Sequence, residues 1–365
     1  MPELHDERVA ALVRRVVEQS PIPPPVPDTA GWELGSTQRR RGRRYRRLVL
    51  GVLALMVAVS GARVLWPKGQ SRVVVATTNS PAAPVGELVS PSGLVVSSDG
   101  TLYVSDQLNH QVVAVAPSGA VHAVAELDQP GDLALANGYL FVTDQSSNAV
   151  WRVAPDGQVT RFAGNGQSGF SGDGGPAVAA ALRSPSHVAF GPDGSLYISD
   201  SGNGRIRRVK PDGSIDTVAG DGNSGDIGDG GPALAAALDP QGIAFDAAGN
   251  LYVANASPKV IREIKVDGTI VVSSSTWTYD LAESGDGRIL VADYGNWTIG
   301  VIDTDGTVTD LPFDLRLKLR PTSVAASSSG AIFVADPGSG AGGPARVVRV
   351  DSDGSTTPIV ISLDR

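Results

Sequence analysis

The sequence predicts an all-β protein: a six-bladed β-propeller of four-stranded antiparallel blades, preceded by one transmembrane helix. Three observations predict it. A strand-rich unit recurs six times between residues 90 and 355. Each copy carries four strand signals separated by glycine-containing turns. Ahead of the copies stands an uncharged apolar stretch abutted by arginines. The composition agrees, with 44 Gly, 25 Pro and only 19% charged residues, which suits short strands joined by tight turns.

In chain order the first element is a tail, residues 1–47. Val9, Leu12, Val13, Val16 and Val17 recur at helical spacing and predict a short amphipathic helix that a protein partner can cover. Pro21 to Pro27 (PIPPPVP) follows as an extended linker.

Residues 48–66 form the predicted membrane span. Leu48 to Ala62 carries no charge, Arg63 is placed to snorkel, and Trp66 suits the interfacial belt. Arg39 to Arg47 holds seven arginines, which places the amino terminus in the cytoplasm and the remainder outside the cell membrane. Ser60-Gly61-Ala62 also reads as a cleavage site, but 47 residues make an unusually long leader. Charge divides at the same place: residues 1–47 carry a net +4 and residues 85–365 a net −15. The acidic sign of the larger part excludes nucleic acid as a partner. The absence of cysteine excludes disulfides and thiolate zinc sites. Arginine outnumbers lysine 25 to 5, as GC-rich bacterial coding would produce.

Residues 67–84 are a linker in which Arg72 to Thr78 (RVVVATT) reads as a strand able to close the ring; Pro358 to Leu363 is the other candidate. The propeller spans residues 85–365. Its clearest copies are Ser90 to Val121, Ser184 to Ile215 and Asp239 to Ile270; weaker ones run Gln129 to Val159, Tyr279 to Val308 and Arg320 to Ser355. In the first copy the strands are expected at Gly93–Val96, Leu102–Ser105, Val112–Val115 and from Val121. Asp99-Gly100, Asp156-Gly157, Asp193-Gly194 and Asp212-Gly213 are read as type I′ hairpin turns. Four strands cannot bury both faces alone, so the copies must stack radially.

The block Leu196-Tyr197-Ile198-Ser199-Asp200-Ser201-Gly202-Asn203-Gly204-Arg205-Ile206-Arg207-Arg208-Val209 and the following Pro211-Asp212-Gly213-Ser214-Ile215 resemble an NHL repeat. The resemblance runs over about residues 85–362 and implies the six-bladed ring. A membrane tether before such a ring is similar to the sensor domains of some bacterial receptor serine/threonine kinases, although 47 tail residues cannot hold a kinase.

The candidate sites lie on the face shared by the loops between second and third strands and the connections between blades. Ligand-binding candidates there are His110, Asn203, Arg205, Tyr294 and Trp297, the last two as exposed aromatics for a sugar or a protein. Arg205, Arg207 and Arg208 are expected on a solvated edge. An Asp ends most second strands (Asp106, Asp144, Asp200, Asp293, Asp336, with Asn255 in the fourth) and is expected to cap loop amides. Two matched insertions, Gly164 to Arg183 and Gly220 to Leu238, contain GDGGPAVAAAL (Gly172 to Leu182) and GDGGPALAAAL (Gly228 to Leu238) and predict helical turns opening at Pro176 and Pro232; their Asp173 and Asp229 are the candidates for a divalent cation. No other cofactor is expected. His187, at the start of an inner strand, is the channel candidate.

Two functions follow. The favoured one is a non-catalytic recognition module for an extracytoplasmic protein or cell-envelope glycan. The alternative is a metal-dependent enzyme like the lactonases and lyases that share six-bladed architecture, with His187 in the channel.

Overall fold

The computed structural model describes residues 88–303, 306–312, 319–338, 345–359 and 361. The predicted tail helix, membrane span and Arg72 to Thr78 strand lie outside the described residues. Among the described residues no helix is long and apolar enough to cross a membrane.

The described residues form six four-stranded antiparallel sheets. In the first, β1 (Pro91–Val96), β2 (Leu102–Asp106), β3 (Gln111–Val115) and β4 (Val121–Glu126) pair in chain order, each boundary within two residues of the sequence expectation. Later blades repeat this order from their inner strands β5 (Pro130–Ala136), β9 (Pro185–Phe190), β13 (Pro240–Phe245), β17 (Thr278–Glu283) and β21 (Ser323–Ala326). Each inner strand packs on its two neighbours, and β21 packs on β1, so the ring closes. The outermost strand of blade 6 is β24 (Thr356–Ile359), which shares Pro358 and Ile359 with the carboxy-terminal candidate; residues 360, 362 and 363 of that candidate lie outside the described residues.

Alternation along these strands buries apolar side chains between blades. Across the closing seam Leu94, Val104 and Val113 meet Phe333, Ala335 and Val347. The two matched insertions fill the gaps on either side of blade 3. Ala177, Ala180 and Leu182 pack with Val150 of blade 2 and Ile198 of blade 3. Ala233, Ala236 and Leu238 do the same with Ile206 and Val253. The predicted helical turns exist as single 3₁₀ turns, Ala177–Ala179 and Ala233–Ala235, with Pro176 and Pro232 one position before them in extended conformation.

Two expectations are corrected. Asp99-Gly100 and its relatives are not type I′ turns, because only the glycine has positive φ (84° at Gly100). The Asp carboxylate instead accepts the amide two residues on, as Thr101 N donates to Asp99 Oδ1 at 3.0 Å, and this holds Asp in ordinary right-handed backbone. Asn137-Gly138, with φ of 52° and 77°, is the pair in which both residues are left-handed. The second correction concerns Arg207, which is fully buried rather than on a solvated edge. It pairs with Asp173 at 2.7 Å and Asp200 at 3.2 Å. Arg262 holds the same place in blade 4, fully buried against Asp229 at 2.9 Å.

Candidate functional site

The site is built from the first three residues of each inner strand in blades 1 to 5 and from the three residues that lead into β21 in blade 6. Aligned on the opening residue, the six copies read Pro91-Ser92-Gly93, Pro130-Gly131-Asp132, Pro185-Ser186-His187, Pro240-Gln241-Gly242, Thr278-Tyr279-Asp280 and Pro321-Thr322-Ser323. In blades 1 to 5 the pairing of inner and second strands shifts register here, as between Pro130 and Leu133 or Thr278 and Leu281. A bulge leaves residues outside the ladder and re-aims their side chains, in this case toward the channel.

The second residue of each triplet lines a cavity of about 240 Å³ at the channel mouth: Ser92, Gly131, Ser186, Gln241, Tyr279 and Thr322, joined by Gln107 and Gln145. Apart from Asp132 and His187 at its base, its walls are uncharged and rich in hydrogen-bonding groups. A second cavity of about 220 Å³ lies along the later residues of the same strands. Between the two stand Asp132, which borders both, His187 above and Asp280 below.

Both carboxyls are stitched to the following blade. Asp132 Oδ2 accepts Val188 N at 3.0 Å. Asp280 Oδ2 accepts Ser323 Oγ at 2.7 Å and Val324 N at 3.0 Å, and its Oδ1 accepts Leu281 N at 2.8 Å. Close approach of neighbouring strands makes this possible: a Cβ on Gly93 would fall 2.7 Å from Asp132 Cα, and one on Gly242 would fall 2.5 Å from Asp280 Cα. Burial raises the pKa of both acids, and the Asp280 charge raises Asp132 further; Asp280 is pushed up to about 6. Burial lowers His187 to about 4, so its ring is neutral at pH 7.

A hydrogen-bond chain fixes the His187 tautomer. Pro240 O can only accept, so Ser201 Oγ donates to it at 2.5 Å. With its proton so used, Ser201 accepts from Ser186 Oγ at 2.6 Å. Ser186 Oγ then accepts from His187 Nδ1 at 3.0 Å. The proton sits on Nδ1, and Nε2 presents a lone pair to the channel.

At the rim, blade 5 gathers aromatics. Tyr294 meets Trp277 edge-on with centroids 5.1 Å apart and Tyr279 at 5.0 Å. Lys259 from blade 4 caps the Trp277 ring at 3.1 Å. Trp297 stands beside this group, 43% exposed and left-handed with φ of 62°, with Arg320 over its ring at 5.1 Å. Tyr279 belongs to both the aromatic group and the channel mouth.

The remaining sequence candidates are distributed otherwise. Asn203 is buried, donating to Gly169 O and Asp200 Oδ2. Arg205 donates to Asn203 O and Asp221 O and lies 3.9 Å from the Phe170 ring centroid, bracing the first insertion. His110, with φ of 58°, contacts Asp128 O in blade 1 and joins neither the aromatics nor the channel wall. Asp173 and Asp229, read as cation candidates, are the carboxylates that meet Arg207 and Arg262. Among the described residues no group of three or more His, Cys, Asp or Glu is arranged to hold a metal. The Asp or Asn that ends the second strands caps loop amides as expected: Asp106 accepts Ser90 N at 2.8 Å, Asp200 accepts Arg183 N at 2.7 Å, and Asn255 Oδ1 accepts Asp239 N at 2.7 Å.

A family model described as the Teneurin NHL domain matches residues 120–210. Residues 120–210 are thus similar to an NHL domain, and the six-bladed ring around them is consistent with an NHL-repeat propeller. Human teneurin-1 is 55% identical to this chain over 40 residues, and the chicken protein 58%; the match covers 11% of this chain and 2% of teneurin-1. The chain thus spans a small fraction of the curated relatives it matches. Among solved structures, a virginiamycin B lyase from Staphylococcus aureus superposes with a TM-score of 0.52 at 15% identity, covering 77% of this chain and 89% of that one. A gluconolactonase from Xanthomonas campestris gives 0.53 at 16%, covering 71% and 86%. Regucalcin from Agrobacterium tumefaciens, a calcium-binding protein, gives 0.51 at 16%, covering 78% and 95%. At these identities the likeness is one of fold.

Proposed function

We infer that the propeller is a recognition module, anchored in the cell membrane by residues 48–66, that binds a cell-envelope glycan on the face holding its channel mouth. One observation carries the reading: the Trp277, Tyr279 and Tyr294 rings lie within 6.0 Å of one another at the rim of a mouth walled by Ser, Thr and Gln. Aromatic faces stack on sugar rings, and neutral amides and hydroxyls match sugar hydroxyls without the desolvation cost of a charge. The test is capture of glycans from envelope extract by the full-length chain immobilised in detergent. Retention by the wild type and loss in Trp277→Ala/Tyr294→Ala supports the reading; equal retention by both, with the variant folded, removes it.

A second reading is favoured by His187 and Asp280, which place an acceptor nitrogen and a carboxyl of raised pKa in the channel. This is the metal-dependent lactonase or lyase alternative. Turnover of a lactone by the full-length chain with added divalent cation, abolished in His187→Ala, would replace recognition with catalysis.

A further inference from the structure

The layer between the two cavities brings an imidazole acceptor together with two carboxyls. His187 Nε2 is an acceptor by the hydrogen-bond chain through Ser186 and Ser201. His187 is 9% exposed, and Nε2 is 3.9 Å from Asp280 Oδ1, beyond hydrogen-bond reach. Asp132 completes the set from blade 2. No Lys or Arg lines either cavity. The carboxyls already accept from backbone amides and from Ser323 Oγ, whereas His187 Nε2 meets no donor among the described residues; a group with several N–H donors and no acceptor can reach Nε2 and the lone pairs left on both carboxyls.

We propose that this layer is a binding site for a primary ammonium group, which enters through the mouth and donates to His187 Nε2, Asp280 and Asp132. Burial works against charge on both carboxyls, and a cation lodged between them offsets that cost. The mouth of about 240 Å³ admits a small amine or the amino group of a sugar. A divalent cation fits less well, since no group of three or more His, Cys, Asp or Glu among the described residues is arranged to hold one.

The test uses the full-length chain in amine-free phosphate buffer. Ethanolammonium, glucosamine, glucose, choline and calcium are added separately, and binding is followed by calorimetry. Binding of ethanolammonium or glucosamine, but not of glucose or choline, is expected, with affinity falling about ten- to a hundred-fold in Asp280→Asn. Binding by both amines means the ammonium alone suffices; binding by glucosamine alone means the group arrives on a sugar. Choline binding as well as ethanolammonium, calcium binding in place of both amines, or unchanged affinity in Asp280→Asn overturns the proposal. A second readout serves if that variant does not fold: the ¹⁵N resonance of His187 Nε2 in the wild type must shift on adding amine, and its constancy overturns the proposal. Asp280→Asn leaves Trp277 and Tyr294 in place, so glycan capture at the rim and amine binding in the channel fail separately.

Discussion

His187 Nε2 stands 3.9 Å from Asp280 Oδ1, so blade 3 faces blade 5 across the channel with no hydrogen bond between the two side chains. The two groups respond to acid in opposite senses. Folding lowers His187 from 6.5 to about 4, so its contribution is complete above 6.5 and is lost as pH falls toward 4. Folding raises Asp280 from 3.8 to about 6, so its contribution is present below 3.8 and is lost as pH rises toward 6. Each sets a slope of about 1.4 kcal/mol per pH unit within its window. Relative to wild type, Asp280→Asn should therefore gain stability as pH rises from 4 to 6. His187→Gln should lose relative stability over 4 to 6.5. Denaturant unfolding at several pH values measures both difference profiles; parallel profiles would show that the pair is not buried as described.

Gly93→Ala and Gly242→Ala should each destabilise by about 1–3 kcal/mol. The added methyl group meets backbone of the next blade, 2.5 Å from Gly131 O in one case and from Asp280 Cα in the other. Neither glycine has positive φ, so the cost is packing. Chemical denaturation reads it, and a neutral result would mean that the inner strands can spread without loss.

Arg207→Ala should cost about 3–5 kcal/mol, because it leaves the fully buried carboxylate of Asp200 without its cation. Arg207→Met with Asp200→Asn should recover part of that loss by removing the stranded charge. Thermal or urea unfolding of the single and double variants decides it.

Lys259→Ala should weaken glycan capture far less than Trp277→Ala does, because lysine covers one face of the ring while the ring supplies the platform. If the lysine variant loses capture as fully as the tryptophan variant, charge rather than stacking drives recognition. A side-by-side binding isotherm of the two variants separates these outcomes.

The blade count, strand boundaries and capping role of Asp106 and Asp200 were legible because each is a local pattern repeated in sequence. The carboxyl pair was not. Asp132 and Asp280 occupy the column that holds His187, but Gly93, Gly242 and Ser323 share it, so no residue type recurs there. Aligning the six triplets on their opening residue is the signal that finds them. Arg207 was misread because alternation along β11 (Arg205–Val209) predicts a face but not the Asp173 carboxylate that arrives from an insertion 34 residues earlier. Tyr294 was picked as an exposed aromatic; its partners Trp277 and Tyr279 flank Thr278 at the start of β17 in the same blade, and the pairing of Thr278 with Asp293 brings the three together.

Each described blade is made from four consecutive strands, and none borrows a strand from the opposite end of the chain. Five of the six blade junctions are therefore crossed by a covalent connection, whereas among the described residues the junction of blades 6 and 1 is held by the contacts of Leu94, Val104 and Val113 with Phe333, Ala335 and Val347 and by a hydrogen bond from Thr322 Oγ1 to Pro91 O at 3.4 Å. Under tension applied between residues 88 and 361, that junction is the weak link. Hydrophobic contacts there can part without any peptide segment being drawn taut, after which the exposed terminal blades would peel away one at a time, as in a stack whose units hold only their neighbours.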